Sequence, residues 1–587
     1  MTALVLAGLL VLTPADSLDA RCPSGESVSR AALEAAGATT LHDVLRLTTR
    51  FDGVTTDGFD PTPVLGLGVP FAQPARVFVD GAPAARGAGP EPLGLEALPV
   101  AVSEVERIVV CPGPGVAGGA FGGPWIDLQT AAPAPMLFGA ATYGNESGDP
   151  GPFRYLDQAL PNVDKIGPDY EAAAVARTPT ATAWMALRDR DFLPTDPAIF
   201  DRTLPATTRY PKRDGPVLAV AARAGGLRAR LGTRWFQDLP FIPDVGREVP
   251  LDHTSAQATL SGERTRGALH LWGHGHIARI EVDRPDRSLV ALDPSWNETR
   301  LDAAFAARLG SPRQSVAAGV QAERAHVTAG PFDGAVAVGR AWVDGRTTFD
   351  GGGLAVTLAS TAAGGTAGVG LASEGWWRPA ARVTLRAEGS ARRSLAEERR
   401  TLGVWAARGY AGLPPDAPEA DPLDVARFQL AARVDRGPGW AEASVEGQRV
   451  GGVASGSAGL ARLGAGMRLP GLILRADARV QGALTGSAAF CDAWDRLPRF
   501  RAALDVTAPL DGRASVWARL DGRSATTWPG GDVARMLLLD LGLSKRAWGD
   551  RIHLSLAGRN VLGAEERTHP LGASLEPRLF VRAEARL

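Results

Sequence analysis

The sequence predicts a mainly β protein: a large antiparallel transmembrane β-barrel of about twenty-two strands, closed by an N-terminal α/β plug domain. Three observations predict it. From about residue 136 onward one motif recurs, roughly ten residues of period-two alternation followed by a turn. The connections alternate between tight and long. One face of each alternating run is thin and apolar, and the other carries stacked arginines.

The totals agree with a β architecture and exclude some functions. At 587 residues the chain is too long for one ordinary soluble core. Its 63 basic and 64 acidic side chains leave a net charge of −1, so it has no electrostatic footprint for nucleic acid. The 70 glycines and 44 prolines disfavour a mostly helical protein. No later segment offers the roughly 18 uncharged apolar residues that a transmembrane helix needs. The opening run "MTALVLAGLLVLTPA" reads as a signal peptide, with Thr13-Pro14-Ala15 as a small-x-small cleavage pattern. The expected division is 1–15 signal peptide, 16–27 N-terminal extension, 28–135 plug domain and 136–587 barrel.

Within residues 28–130, Ser29 can cap a short helix "RAALEAA" that Gly37 ends. Thr40 and Asp43 form a capping box for a second helix, "LHDVLRL". "ARVFVDGAPA" reads as a strand running into an Asp80-Gly81 turn, and "VSEVERIVV" and "WIDLQT" read as strands. Between those last two lies a stretch crowded with glycine and proline. It is not a phosphate loop: Gly122-Gly123 is followed by Pro124-Trp125, and no cation follows Arg107 until Arg154.

In the long second part, "LRARLGTRW" places Leu227, Ala229, Leu231, Thr233 and Trp235 on one face, with Arg228, Arg230 and Arg234 opposite. "LILRADARV" sets Leu472, Leu474 and Val480 against Arg475, Asp477 and Arg479. A soluble sandwich would alternate as well. A lipid-facing outside and a wet lumen account better for thin apolar faces opposed by arginine rows. Tight connections fall at Gly225-Gly226, at "RGPG" from 436 and at "LPG" from 469. Their long counterparts are 144–169, 190–215, 237–254 and 394–423, the asymmetry of an outer-membrane barrel. The last run, "LFVRAEARL", keeps an apolar row to Leu587, as an outer-membrane assembly signal requires. A barrel this wide either leaks or holds a plug, and the compact α/β unit lies just before its first strand.

Taken in order, these motifs resemble the TonB-dependent outer-membrane receptor family. "SRAALEAAGATTLHDVLRLTTRFDGV" resembles the family's plug opening, and "ARVFVDGAPA" its strand ending in Asp80-Gly81. "LEALPVAVSEVERIVV" resembles the element that holds Glu106 and Arg107. "GAFGGPWIDLQT" is similar to the glycine-rich strand before the barrel, with Gly119, Gly122 and Gly123 as its turn glycines. "GRNVLGAEERTHPLGASLEPRLFVRAEARL" looks like the last hairpin, with Asn560 at the matching position.

The resemblance implies a receptor in the bacterial outer membrane, with the lipid bilayer, a small-molecule ligand and a TonB-type energy-transducing protein as partners. The ligand would be an iron chelate, cobalamin or an oligosaccharide, with no resident cofactor beyond a metal chelate carried as cargo. The alternative is a plugged barrel without TonB coupling, acting as a passive channel or surface receptor. The chain also departs from the family. Cys111-Pro112-Gly113 stands where Arg-Gly-Pro is usual, and Leu65-Gly66 where an Arg-Gly pair is usual. Those arginines typically latch the plug to barrel carboxylates. "SVSR" is a poor TonB box.

Export together with the position usually held by arginine suggests a Cys22–Cys111 disulfide, with Cys491 left as a thiol. Two unrelated buried thiols are the competing expectation. "HLWGHGH" sets His274 and His276 on one strand face, where they could share a metal or simply line the wall. No Ser/His/Asp or paired-carboxylate constellation stands out, so no enzyme is expected.

Overall fold

The computed structural model describes residues 26–30, 33, 51–54, 62–65, 76–84, 98–111, 125–133, 135–144, 165–192, 213–214, 216–241, 249–283, 296–311, 313–329, 332–395, 423–452, 455–511, 513–528, 531–549, 551–564 and 578–586. The expected signal peptide, Gly119, Gly122, Gly123, Cys22 and Leu587 lie outside these, as does nearly all of both expected plug helices.

The plug is built on a five-stranded sheet ordered Glu26–Ser29, Val105–Cys111, Trp125–Thr130, Arg76–Val79, Ala82–Pro83. Arg76–Val79 and Trp125–Thr130 run parallel, and the other neighbours are antiparallel. Both faces are buried, which explains why these strands read as near-continuous apolar runs. Val28, Val77, Val79, Ile108, Val110, Ile126 and Leu128 fill one side. Phe78, Val109, Cys111 and Trp125 fill the other, with the Phe78 and Trp125 rings edge to face at 6.1 Å.

Two readings change here. Val102–Glu104 is a 3-10 turn ahead of strand Val105–Cys111, because the Glu104 carboxylate turns back to accept the Ala101 N–H at 3.0 Å. "SVSR" belongs to a built element: Glu26–Ser29 pairs with Val110 to Arg107, and Val28 is buried in the plug core. The plug sheet therefore begins two residues before the boundary expected at 28.

The barrel is closed. Among the described residues its ring has twenty-three strand segments, one of them the two-residue Arg213–Asp214. The remaining twenty-two match the expected number. Arg578–Arg586 closes the ring on Met136–Gly144, the first barrel strand. The alternation has the sense read from the sequence: Leu227, Leu231 and Trp235 are exposed on the outside, while Arg230 and Arg234 are buried facing the lumen. Tight turns occur at Gly225, Gly437 and Gly471, each with φ between +55° and +76°, where a side chain would be strained.

Many strands exceed the expected ten residues, and Val249–Arg266 and Phe332–Phe349 each have eighteen. The stretch 237–254, expected as a loop, is largely strand: pairing continues through Leu239↔Leu251 to Phe241↔Val249 across a bulge. Backbone ladders do not need an apolar face, so the strands run on past the apolar band that the sequence marks.

Tryptophans lie flat against glycines on the lumen wall. Gly319 faces Trp342, Gly353 faces Trp376, Gly466 faces Trp440 and Gly542 faces Trp517, each pair directly opposite in register. A Cβ on Gly319 would come within 2.5 to 2.8 Å of the Trp342 ring, so only glycine leaves the indole room. At the long-loop end, helix Ala488–Asp495 folds inward. Phe490 and Trp494 are buried with Val450, Ala458 and Leu460, and Phe490 sits against Gly456 and Gly486.

Candidate functional site

The Asp80-Gly81 turn is where the plug meets the wall. Asp80 has φ +55° and Gly81 φ +81°, the left-handed pair that a tight two-residue hairpin needs. Its side-chain and backbone partners fix it on strand Trp125–Thr130. The Asp80 carboxylate accepts the Thr130 N–H and hydroxyl, both at 2.7 Å, and the Asp80 N–H donates to the Leu128 carbonyl at 3.0 Å. Asp127 accepts the Gly81 N–H at 3.0 Å.

Two arginines of barrel strand Leu227–Phe241 reach in to this edge, two residues apart and so on one face. Arg228 Nη1 lies 2.5 Å from Asp80 Oδ1, and Nη2 donates to the Thr130 carbonyl. Arg230 Nη2 donates to Glu104 Oε2 at 3.0 Å and to the Pro99 carbonyl at 2.7 Å. Glu104 Oε1 accepts the indole N–H of Trp184 at 2.9 Å, and the Arg228 guanidinium stands 5.9 Å from that ring. Gly232, next on the same face, has no room for a Cβ beside the Pro99 carbonyl.

Glu104 and Arg230 are fully desolvated, with side chains 0% and 2% exposed. Burial pushes the Asp80 carboxyl above its ordinary range, against the opposing pull of Arg228 and the Thr130 hydrogen bonds. The result is a plug–wall latch with barrel arginines and plug carboxylates, the inverse of the polarity the family resemblance implies. In the sequence Asp80 marks only a turn, and Arg228 and Arg230 only the lumen face of their strand. Glu104 and Trp184 gave no sequence signal.

The other expected positions are spread out. Glu106 is exposed, 3.8 Å from Arg30, and Arg107 donates to Gln129 at 3.1 Å. Cys111 is disulfide-bonded and Cys491 is free; Cys22 is the remaining cysteine of the sequence. Glu26 stands opposite Val110, the neighbour of Cys111 in its strand.

His274 and His276 share the lumen face of strand Leu269–Asp283, but each is committed to a different neighbour. His274 Nε2 lies 2.5 Å from Asp302, and His276 Nδ1 lies 2.9 Å from the Thr259 hydroxyl. Among the described residues no three His, Cys, Asp or Glu side chains are grouped to hold a metal ion. Asp302 instead opens a buried chain along the wall. Gln321 donates to it, Arg340 donates to Gln321 and to Glu323, and Arg300 bridges Glu323 and Glu298.

No protein-family model and no curated protein matches the sequence. Solved structures do match the fold. The FrpB iron transporter from Neisseria meningitidis superposes with a TM-score of 0.75 at 11% identity, over 97% of this chain and 100% of that one. The ferric yersiniabactin uptake receptor FyuA from Yersinia pestis gives 0.68 at 14% identity, over 96% and 97%. The copper transporter OprC gives 0.67 at 13% identity, over 96% and 98%. The fold that the sequence motifs suggested therefore extends over nearly the whole chain.

Proposed function

We propose that the protein is an outer-membrane receptor that takes up a scarce small ligand through its plugged barrel, energised by a TonB-type inner-membrane complex. One observation carries the reading. A closed barrel too wide to fill itself holds a separate domain, fastened to its inner wall through buried ion pairs. A structural channel has no use for such a plug. A receptor needs one that holds firm at rest and yields on demand.

A metal chelate is the favoured cargo. The similar structures are named for an iron transporter, a ferric-chelate uptake receptor and a copper transporter. In this reading the leader is 1–15, the plug spans about 26–135 and the barrel 136–587, with the outward apolar rows against lipid.

The uncoupled alternative, a passive channel or surface receptor, draws on one observation: Glu26–Ser29, which holds most of the weak TonB-box candidate "SVSR", is paired into the plug sheet. Uptake of ferric chelates by cells expressing the protein separates the readings. The receptor reading expects membrane-fractionated, heat-modifiable protein and saturable uptake abolished by a protonophore. Uptake that persists without energy favours the alternative, and a soluble detergent-free monomer removes both.

A further inference from the structure

We propose that the outer wall carries a binding site for a phosphate-bearing lipid, seated in a groove across strands Leu269–Asp283, Trp296–Gly310, Gln314–Ala329 and Phe332–Phe349. This rests on the outer-membrane reading above.

The groove runs on past these four strands, along Leu231 and Leu260 on one side and Ala363 on the other, and has a volume of about 1460 Å³ in all. Its floor is a register row of small outward residues, Gly275, Ala303, Ala322 and Gly339, directly opposite one another on the four strands. A Cβ on Gly275 would meet nothing within 4 Å, so the space before it is open. Successive outward rows lie about 6.6 Å apart along a strand. The row on the short-turn side brings Phe305 and Val320, 55% and 56% exposed, as one ridge. The row on the long-loop side brings Ile277 and Leu301, 47% and 48% exposed, and ends in Arg324.

Arg324 is where the wall changes character. Below it on the same strand the outward positions are Val316, Ala318, Val320 and Ala322. One row further toward the long loops come Arg279, Thr299 and His326, opposite one another on three strands. Arg279 is 64% exposed and 3.2 Å from Glu281, which offsets part of its charge. Arg324 is exposed, with no carboxylate partner among the described residues. An apolar furrow thus opens under a small basic cluster at the edge of the apolar band.

The charge complement of that cluster is an anion, and the furrow beneath it needs an apolar tail joined to the same molecule. A lipid phosphate with its acyl chain in the furrow satisfies both. A protein partner would have to cross the bilayer to reach the floor, and a free anion would leave the furrow unexplained.

Native mass spectrometry of the full chain, released in mild detergent with its co-purifying lipids, tests the site. The variants are R279Q with R324Q, and, separately, G275L, which fills the floor. Phosphatidylglycerol is the added probe, with diacylglycerol and inorganic phosphate as competitors. Each arginine near a membrane surface contributes roughly fivefold in anionic-lipid binding, so the double variant is expected to lose at least tenfold in phospholipid occupancy. G275L should lose occupancy with the arginines intact. Unchanged occupancy in both variants, equal retention of diacylglycerol, or displacement by inorganic phosphate alone would each overturn the site. Heat-modifiability and membrane fractionation are read on the same samples. If they fail, the outer-membrane reading falls and takes the site with it; if they hold, the lipid result judges the site by itself.

Discussion

Removing the Glu104 carboxylate is the sharpest test of the latch. The substitution Glu104→Ala takes away the partner of a guanidinium whose side chain is 2% exposed, along with the acceptor for Trp184 and for the Ala101 N–H. Breaking one side of a buried ion pair costs about 3–5 kcal/mol, because the surviving charge stays buried without compensation. At about 1.4 kcal/mol per decade, that is a hundredfold to a few thousandfold rise in the population with the plug edge loosened.

Hydrogen exchange in detergent micelles reads that population at the amides of Val105–Cys111 and Trp125–Thr130. The single variant should exchange faster by about that factor. Replacing both partners, as in Glu104→Leu with Arg230→Met, removes the stranded charge as well and should recover most of the protection. The pair energy then appears as a coupling in the double-mutant cycle. Exchange unchanged in E104A, or single effects that simply add in the double variant, would refute the assignment of Arg230 as the latch partner.

Three further outcomes concern Asp80, the plug cysteines and the wall glycines. Because burial holds the Asp80 carboxyl above its usual range, the folded plug binds that proton more tightly than the unfolded chain does. Its stabilising contribution is fullest below the ordinary aspartate pKa and is lost as pH rises through the folded value. The stability difference between wild type and Asp80→Asn should therefore fall with rising pH, and a rise would contradict it. Unreduced peptide mapping should find Cys22 joined to Cys111 and only Cys491 open to alkylation, the bridge contributing on the order of 4 kcal/mol through a loop of about ninety residues. Gly319→Val should cost about 1–3 kcal/mol in barrel unfolding, since its Cβ would strike the Trp342 ring, whereas Gly275→Ala, facing open space, should be nearly silent.

The barrel was legible because its signals are local. Leu231 and Arg230 are neighbours in sequence, and their opposite fates follow from the strand period alone. Gly471 marks its own turn by the φ it must adopt. The latch was not legible for the opposite reason: Asp80 and Arg228 are 148 residues apart, and their meeting depends on how a separate domain is seated. Glu104 was hidden inside an apparent strand, because alternation in "VSEVERIVV" cannot reveal that its carboxylate folds back on Ala101. Strand ends fall beyond the expected ones where a ladder continues through broken alternation, as across the bulge between Phe236 and Leu239.

The inverted polarity of the latch changes what the passage looks like once the plug yields. With arginines on the plug, a moving plug leaves carboxylates on the wall. Here it leaves Arg228 and Arg230, fixed on strand Leu227–Phe241 and facing the lumen with their plug partners gone. Two adjacent cations on a low-dielectric wall draw anions into the gap and repel cations. The full-length protein in a planar bilayer, with its plug loosened by mild urea, should therefore conduct with a bias toward anions. Arg228→Gln with Arg230→Gln should shift the reversal potential toward cations. The readout does not depend on how many channels open, so a leakier variant cannot mimic it. Identical reversal potentials for wild type and variant would mean that the exposed arginines do not face the conducting path, and that the plug leaves by another side of the barrel.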